Sequence, residues 1–196
     1  MESGRPHADV DIHAIYGAPV EGISGSFTQM LHGYTVEIRT ATPTEVRNKI
    51  AARPAWAHSW VRAEHLWGDP AVTKALVRFA QQTLDQYRPD PQEAHSTLHW
   101  IESARRKVAE AWQAGNEAYT SFLIATNTWE LLCGLWLANT SPIPASKLAY
   151  LLTPTLPRLP ANFAGSYDLL WRGDAASRVQ AYIGLSEWVC AELHSR

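Results

Sequence analysis

The chain has 196 residues, 46% of them apolar, 10% aromatic and 18% charged. That composition fits a folded protein with a core and excludes a disordered regulator, which is poorer in aromatics and richer in charge. Seventeen Lys and Arg against nineteen Asp and Glu leave a formal charge of −2, which argues against nucleic acid as a major partner, because phosphate binding needs a cationic surplus or a local patch.

Two cysteines, Cys133 and Cys190, are too few for a disulfide framework in a chain of this size. Both lie in apolar, helix-like stretches and are expected to behave as small buried hydrophobes. The first residues, Met1 to His7, carry neither an apolar signal core nor an amphipathic presequence. No window approaches the roughly 18 apolar residues of a membrane span. A cytoplasmic protein with no membrane partner is the expectation.

From Ala8 to Tyr16, Val10, Ile12 and Ala14 alternate with Asp9, Asp11 and His13, a period of two that predicts a strand with two distinct faces. Gly17 to Gly25 reads as a glycine-punctuated turn. Ser26 to His32 is predicted as one or two helical turns stopped by Gly33. Tyr34 to Thr40 alternates again, with Tyr34, Val36 and Ile38 apolar and Thr35, Glu37 and Arg39 between them. After Ala41 the pattern turns helical. Thr42-Pro43-Thr44-Glu45 reads as an N-cap followed by proline at the first helical position. Further helices are predicted over about 55–67, 71–87, 92–114, 116–139, 144–152 and 175–194, with the proline-rich stretch from Pro154 to Pro160 as a connector. The segment 116–139 is nearly apolar around its circumference and must be central in a bundle. Most of the nine tryptophans are read as packing, Trp56 and Trp60 among them, four apart on one helical face.

The fold expected is therefore α+β: a small sheet over 1–41, packed on a helical bundle over 42–196. Val10, Ile12, Val36 and Ile38 should be buried, and the polar face should look into a cleft.

Aspartate is depleted from strands, because its side chain competes for backbone hydrogen bonds. Asp9 and Asp11, at i and i+2, point to one side and can share a cation. Two like charges this close raise each other's pKa unless something compensates. A divalent metal does so, and oxygen-only ligation with open positions suits Mg2+ holding substrate phosphates. Glu37, on a second alternating strand, would extend the set to three carboxylates, enough to hold two metals about 4 Å apart for an in-line displacement. The competing explanation is an exposed sheet face whose polar positions happen to be acidic.

The run His7-Ala8-Asp9-Val10-Asp11-Ile12-His13 resembles the metal-binding strand of the polymerase-β-type nucleotidyltransferase superfamily. Gly33-Tyr34-Thr35-Val36-Glu37-Ile38 is similar to its later strand bearing the third carboxylate. The helical remainder resembles the C-terminal bundle of the aminoglycoside-nucleotidyltransferase-like group, in which a long apolar helix ends in Asn, followed by Pro and a Lys-bearing helix; here that is Leu131 to Asn139, then Pro142 or Pro144, then Lys147. The resemblance implies a Mg2+-dependent transfer of a nucleoside monophosphate from a nucleoside triphosphate, ATP first among candidates, to a hydroxyl acceptor. It implies Asp9, Asp11 and Glu37 as metal ligands, Glu37 also as general base, and Lys147 as a cation on the phosphates, against the alternative of an ordinary solvated lysine.

The sequence departs from that family at one point. The Gly-Ser turn that holds phosphates upstream of the aspartates is not in front of Asp9, and Gly25-Ser26 follows them and reads as a turn. Two alternatives stay open: an active transferase whose gene encodes the missing strand and helix upstream of Met1, or a non-catalytic nucleotide-binding or partner-regulating protein on a shortened fold. In the first case the open edge beside the strand at 8–16 is expected to form a homodimer or to aggregate unless another strand covers it.

Other constellations are weaker. His95 and His99 are a helical i, i+4 pair without a third ligand nearby in sequence. Arg178 and His194 do not form the short Arg–His spacing of a helical-bundle ribonuclease. No phosphate-binding P-loop, nucleophile elbow or zinc spacing is present.

Overall fold

A computed structural model describes residues 10–18 and 25–195. Over these residues the protein is mixed α+β, a three-stranded sheet with eight α-helices. The chain forms two compact units, 1–83 and 84–196. The sheet shares its unit with the first helices, so the division falls inside a helix rather than at the change from strand to helix near residue 41.

In the first unit, β1 (Val10–Ile15) pairs in parallel with β3 (Tyr34–Ala41), and β2 (Ser26–Leu31) pairs with β3 antiparallel, giving the order β1-β3-β2. Ser26–Leu31 is thus a strand and not the helical turns its sequence predicts. Phe27, Met30 and Leu31 have helical spacing, but the turn that follows decides the outcome. His32 (φ 49°) and Gly33 (φ 83°) are both left-handed, the geometry that closes a two-residue hairpin between Leu31 and Tyr34. Thr40 ties the hairpin's other end, its N–H reaching the Gly25 carbonyl at 3.0 Å.

Helix α1 (Pro43–Ala52) starts with a reciprocal capping box: Thr42 Oγ1 accepts from the Glu45 N–H at 3.2 Å, and Glu45 Oε2 accepts from the Thr42 N–H at 2.7 Å. The region expected as one helix over 55–67 is shorter and broken. A 3₁₀ turn (Pro54–Trp56) leads into α2 (Ala57–Trp60), and the chain then runs irregularly to α3 (Pro70–Asp85), within which Leu76 and Ala80 are buried.

The sheet's faces are not covered as alternation predicts. Val36 is buried, but Ile12 and Ile38 are half-buried and Val10 is 42% exposed. The opposite face, carrying His13 and Arg39, is the one against Trp60 and Trp56. An indole face accepts a cation or an imidazole as readily as an aliphatic chain, so a polar strand face can serve as a packing face.

The second unit is a bundle of α4 (Pro91–Gln113), α5 (Glu117–Ala138), α6 (Ser146–Leu152), α7 (Phe163–Arg172) and α8 (Ala175–His194). Helix α7 is not among the helices that the sequence pattern predicts. Helix α5 packs against α4 and α8, but it is not enclosed all round as its apolar circumference predicts, since Tyr119, Phe122 and Trp129 are exposed. The approach is closest at Gly134, where a Cβ would stand 2.5 Å from both Ile101 Cδ1 and Val189 Cγ1. The core includes Leu131, Leu135, Leu170, Tyr182, Leu185 and Val189. Cys190 is buried and Cys133 half-buried; burial pushes the Cys133 thiol up to about 12, with Glu130 adding to the effect. Tryptophan is less uniformly core than expected: Trp60 and Trp136 are buried, whereas Trp67, Trp100, Trp129 and Trp171 are exposed. Among the described residues no helix is long and apolar enough to cross a membrane.

Candidate functional site

Asp11 and Glu37 are Cα partners in the parallel β1–β3 ladder. Partners in a parallel ladder present their side chains to the same face, on strands about 4.8 Å apart. The two carboxylates expected to share a face therefore do so. Asp9, the third, lies outside the described residues.

His13 and Arg39, the next residues along each strand on that face, are partners as well. The four side chains form a square of two acids, a histidine and an arginine. Arg39 binds Glu37 through Nε at 3.0 Å and Nη2 at 2.9 Å, both to Oε1. The His13 ring stacks at a tilt on Trp60, centroids 4.8 Å apart. Burial lowers the His13 pKa, Arg39 lowers it further, and Asp11 works against both. The ring is therefore held neutral at pH 7, free to donate from one nitrogen and accept at the other.

His13 and Trp60 form a wall between two cavities. The larger, of about 520 Å3, is lined by Asp11, Tyr16, Glu64, His65, Trp67 and Asp69 among others, with Trp67 93% exposed at its rim. The smaller, of about 210 Å3, is lined by Arg39, Glu45, Lys49 and Trp56. Asp11 thus opens on a space with acidic and aromatic walls, and Arg39 on a space with basic ones.

The donors fit a hard divalent cation in kind, being two carboxylates in register with no soft ligand between them. Among the described residues no group of three His, Cys, Asp or Glu side chains is placed to hold a metal, so Asp11 and Glu37 would need further oxygens from water or substrate phosphate. Lys147 is exposed in the first turn of α6, in the second unit. Asn139 secures a local loop, accepting from the Arg158 N–H at 2.8 Å and donating to the Arg158 carbonyl at 2.9 Å. His95 and His99 are both exposed on α4.

Sequence reasoning missed Arg39, Lys49 and His13 as parts of the site. The signal for two of them was present: Arg39 follows Glu37, and His13 follows Asp11, by the same two-residue step that puts the acids on one face.

Compared with known proteins, the chain matches no protein-family model, and no curated protein is similar to it in sequence.

Proposed function

We propose that the protein is a nucleotidyltransferase, moving a nucleoside monophosphate from a nucleoside triphosphate to a hydroxyl acceptor with Mg2+. The observation that carries the reading is the in-register pair Asp11–Glu37 on one face of neighbouring parallel strands, with Asp11 lining the larger cavity. Together with the strand motifs around Asp9-Val10-Asp11 and Val36-Glu37-Ile38, it is the arrangement that phosphoryl-type displacement uses. A cytoplasmic location goes with the reading, since nucleoside triphosphates are the substrate.

Asp11 and Glu37 would hold the metal, which when bound neutralises the phosphates and aligns attacking and leaving oxygens. Glu37 would accept the proton of the acceptor hydroxyl as general base, a role for a carboxylate within hydrogen-bond reach of that group. Arg39, bound to one Glu37 oxygen, fixes the carboxylate's orientation. Tyr16, Trp60 and Trp67 give the larger cavity flat apolar surfaces on which a planar base can lie.

The same Arg39–Glu37 pair favours a second reading, a non-catalytic nucleotide binder in which Glu37 is neutralised by arginine instead of metal. Incubation with labelled ATP, Mg2+ and a pool of hydroxyl acceptors separates the two. Pyrophosphate release that requires an acceptor supports transfer. Mg2+-dependent binding without release supports the binder, and no binding of any triphosphate ends both.

A further inference from the structure

We infer that the smaller cavity, walled by Arg39, Lys49, Trp56 and His13, is a binding site for a polyphosphate group. It rests on the transferase reading for its use, though not for its chemistry. Two cations converge on one indole: Lys49 Nζ lies 3.5 Å from the Trp56 ring centroid and Arg39 Cζ 5.8 Å from it. Cations over a common ring repel each other, and the ring's attraction offsets this only in part. The Lys49 pKa is lowered, first by desolvation and then by the charges of Arg39 and Arg53. An anion between the two would relieve the repulsion.

The neighbouring acids leave room for one. Glu45 lines the cavity, but its Oε2 is held by the Thr42 N–H at 2.7 Å and the Thr42 hydroxyl at 2.9 Å as part of the helix cap. Glu37 occupies only Nε and Nη2 of Arg39, so Nη1 lies outside that ion pair. Asp11 is across the His13–Trp60 wall, in the larger cavity.

A guanidinium offers forked donors that match phosphate oxygens, and an ammonium offers a compact point charge. Trp56 limits the freedom of both, which lowers the entropy lost on binding. At about 210 Å3 the space is smaller than the roughly 300–1,000 Å3 of an ordinary organic ligand's pocket, and it suits a small anion. The site adjoins the Asp11–Glu37 pair through Arg39, which binds Glu37.

The test is calorimetry on the full chain at pH 7.5 without divalent metal, titrating pyrophosphate, tripolyphosphate and ATP. Pyrophosphate should bind, more weakly as salt rises, and Lys49→Gln should weaken it about 10- to 100-fold, the loss of one charge-assisted contact. Lys107→Gln, an exposed lysine of α4, should leave it unchanged. ATP binding more tightly than tripolyphosphate identifies the ligand as a nucleotide's tail; equal affinities identify it as free polyphosphate. No pyrophosphate binding at millimolar concentration, or equal affinity in Lys49→Gln, overturns the site even if nucleotide transfer is observed. Lysine-dependent binding without transfer to any acceptor leaves the site standing and removes the transferase.

Discussion

The His13 imidazole and the Trp60 indole stack with centroids 4.8 Å apart, so that one strand residue and one helix residue together separate an acidic cavity from a basic one. The contact also ties β1 to α2. Because His13 is half-buried and its pKa is lowered from 6.5, first by desolvation and then by Arg39, the folded protein binds fewer protons here than the unfolded chain. The contribution to stability is complete above pH 6.5 and is lost as pH falls through the depressed folded value. Thermal unfolding from pH 7.5 down to pH 5 should therefore show a steeper loss in the wild type than in His13→Phe, which keeps a ring on Trp60 without the titration. Equal slopes would mean that His13 is not held neutral.

Lys49 depends on α1, and α1 depends on its cap. Thr42→Ala removes the acceptor for the Glu45 N–H and the donor to Glu45 Oε2, and should cost about 1 kcal/mol. Urea denaturation measures this directly. Thr42→Ser, which keeps the oxygen, should recover most of the loss.

In the second unit, Gly134→Ala places a methyl 2.5 Å from Ile101 Cδ1 and Val189 Cγ1. Both neighbours are fully buried, so the core must shift, at about 1–3 kcal/mol. Gly184→Ala in α8 has open space around its Cβ and should instead stabilise by about 0.5–1 kcal/mol, the helix-propensity difference. Denaturant midpoints of opposite sign for the two variants are the expected result.

Much of this was legible in the alternation of β1 and β3, because one buried face and one polar face impose a period of two. The pairing of Asp11 with Glu37 followed from the same pattern. Strand β2 was not legible from Phe27, Met30 and Leu31, whose spacing suits a helix; the left-handed backbone at His32 and Gly33 overrides it. Which sheet face would be covered was also hidden. Alternation predicts burial of the aliphatic side, yet Val10 is exposed while His13 and Arg39 lie against Trp60 and Trp56. A tryptophan's partner can be an alkyl chain or a cation, and only the three-dimensional arrangement chooses between them. Lys49 joined the site for that reason: nothing in its local sequence marks it, and Trp56 brings it to Arg39.

Glu37→Gln breaks the ion pair with Arg39. Both side chains are about one-third exposed, so the stability cost should be small, within about 1 kcal/mol. Loss of several kcal/mol on thermal or urea unfolding would make Glu37 a structural residue and leave it little freedom for chemistry.

Whether Asp11 and Glu37 act together as a metal-dependent nucleotide site is decided by the ATP affinity of the wild type and of Asp11→Asn, each with and without Mg2+. Asp11 is exposed at its cavity, so Asp11→Asn should melt no lower than the wild type, since replacing it relieves repulsion from Glu37. Mg2+ should tighten ATP binding to the wild type at least tenfold, and Asp11→Asn should lose this increment while keeping its fold. ATP affinity that ignores Mg2+ in the wild type, or an increment that survives in folded Asp11→Asn, would rule out the metal-dependent site.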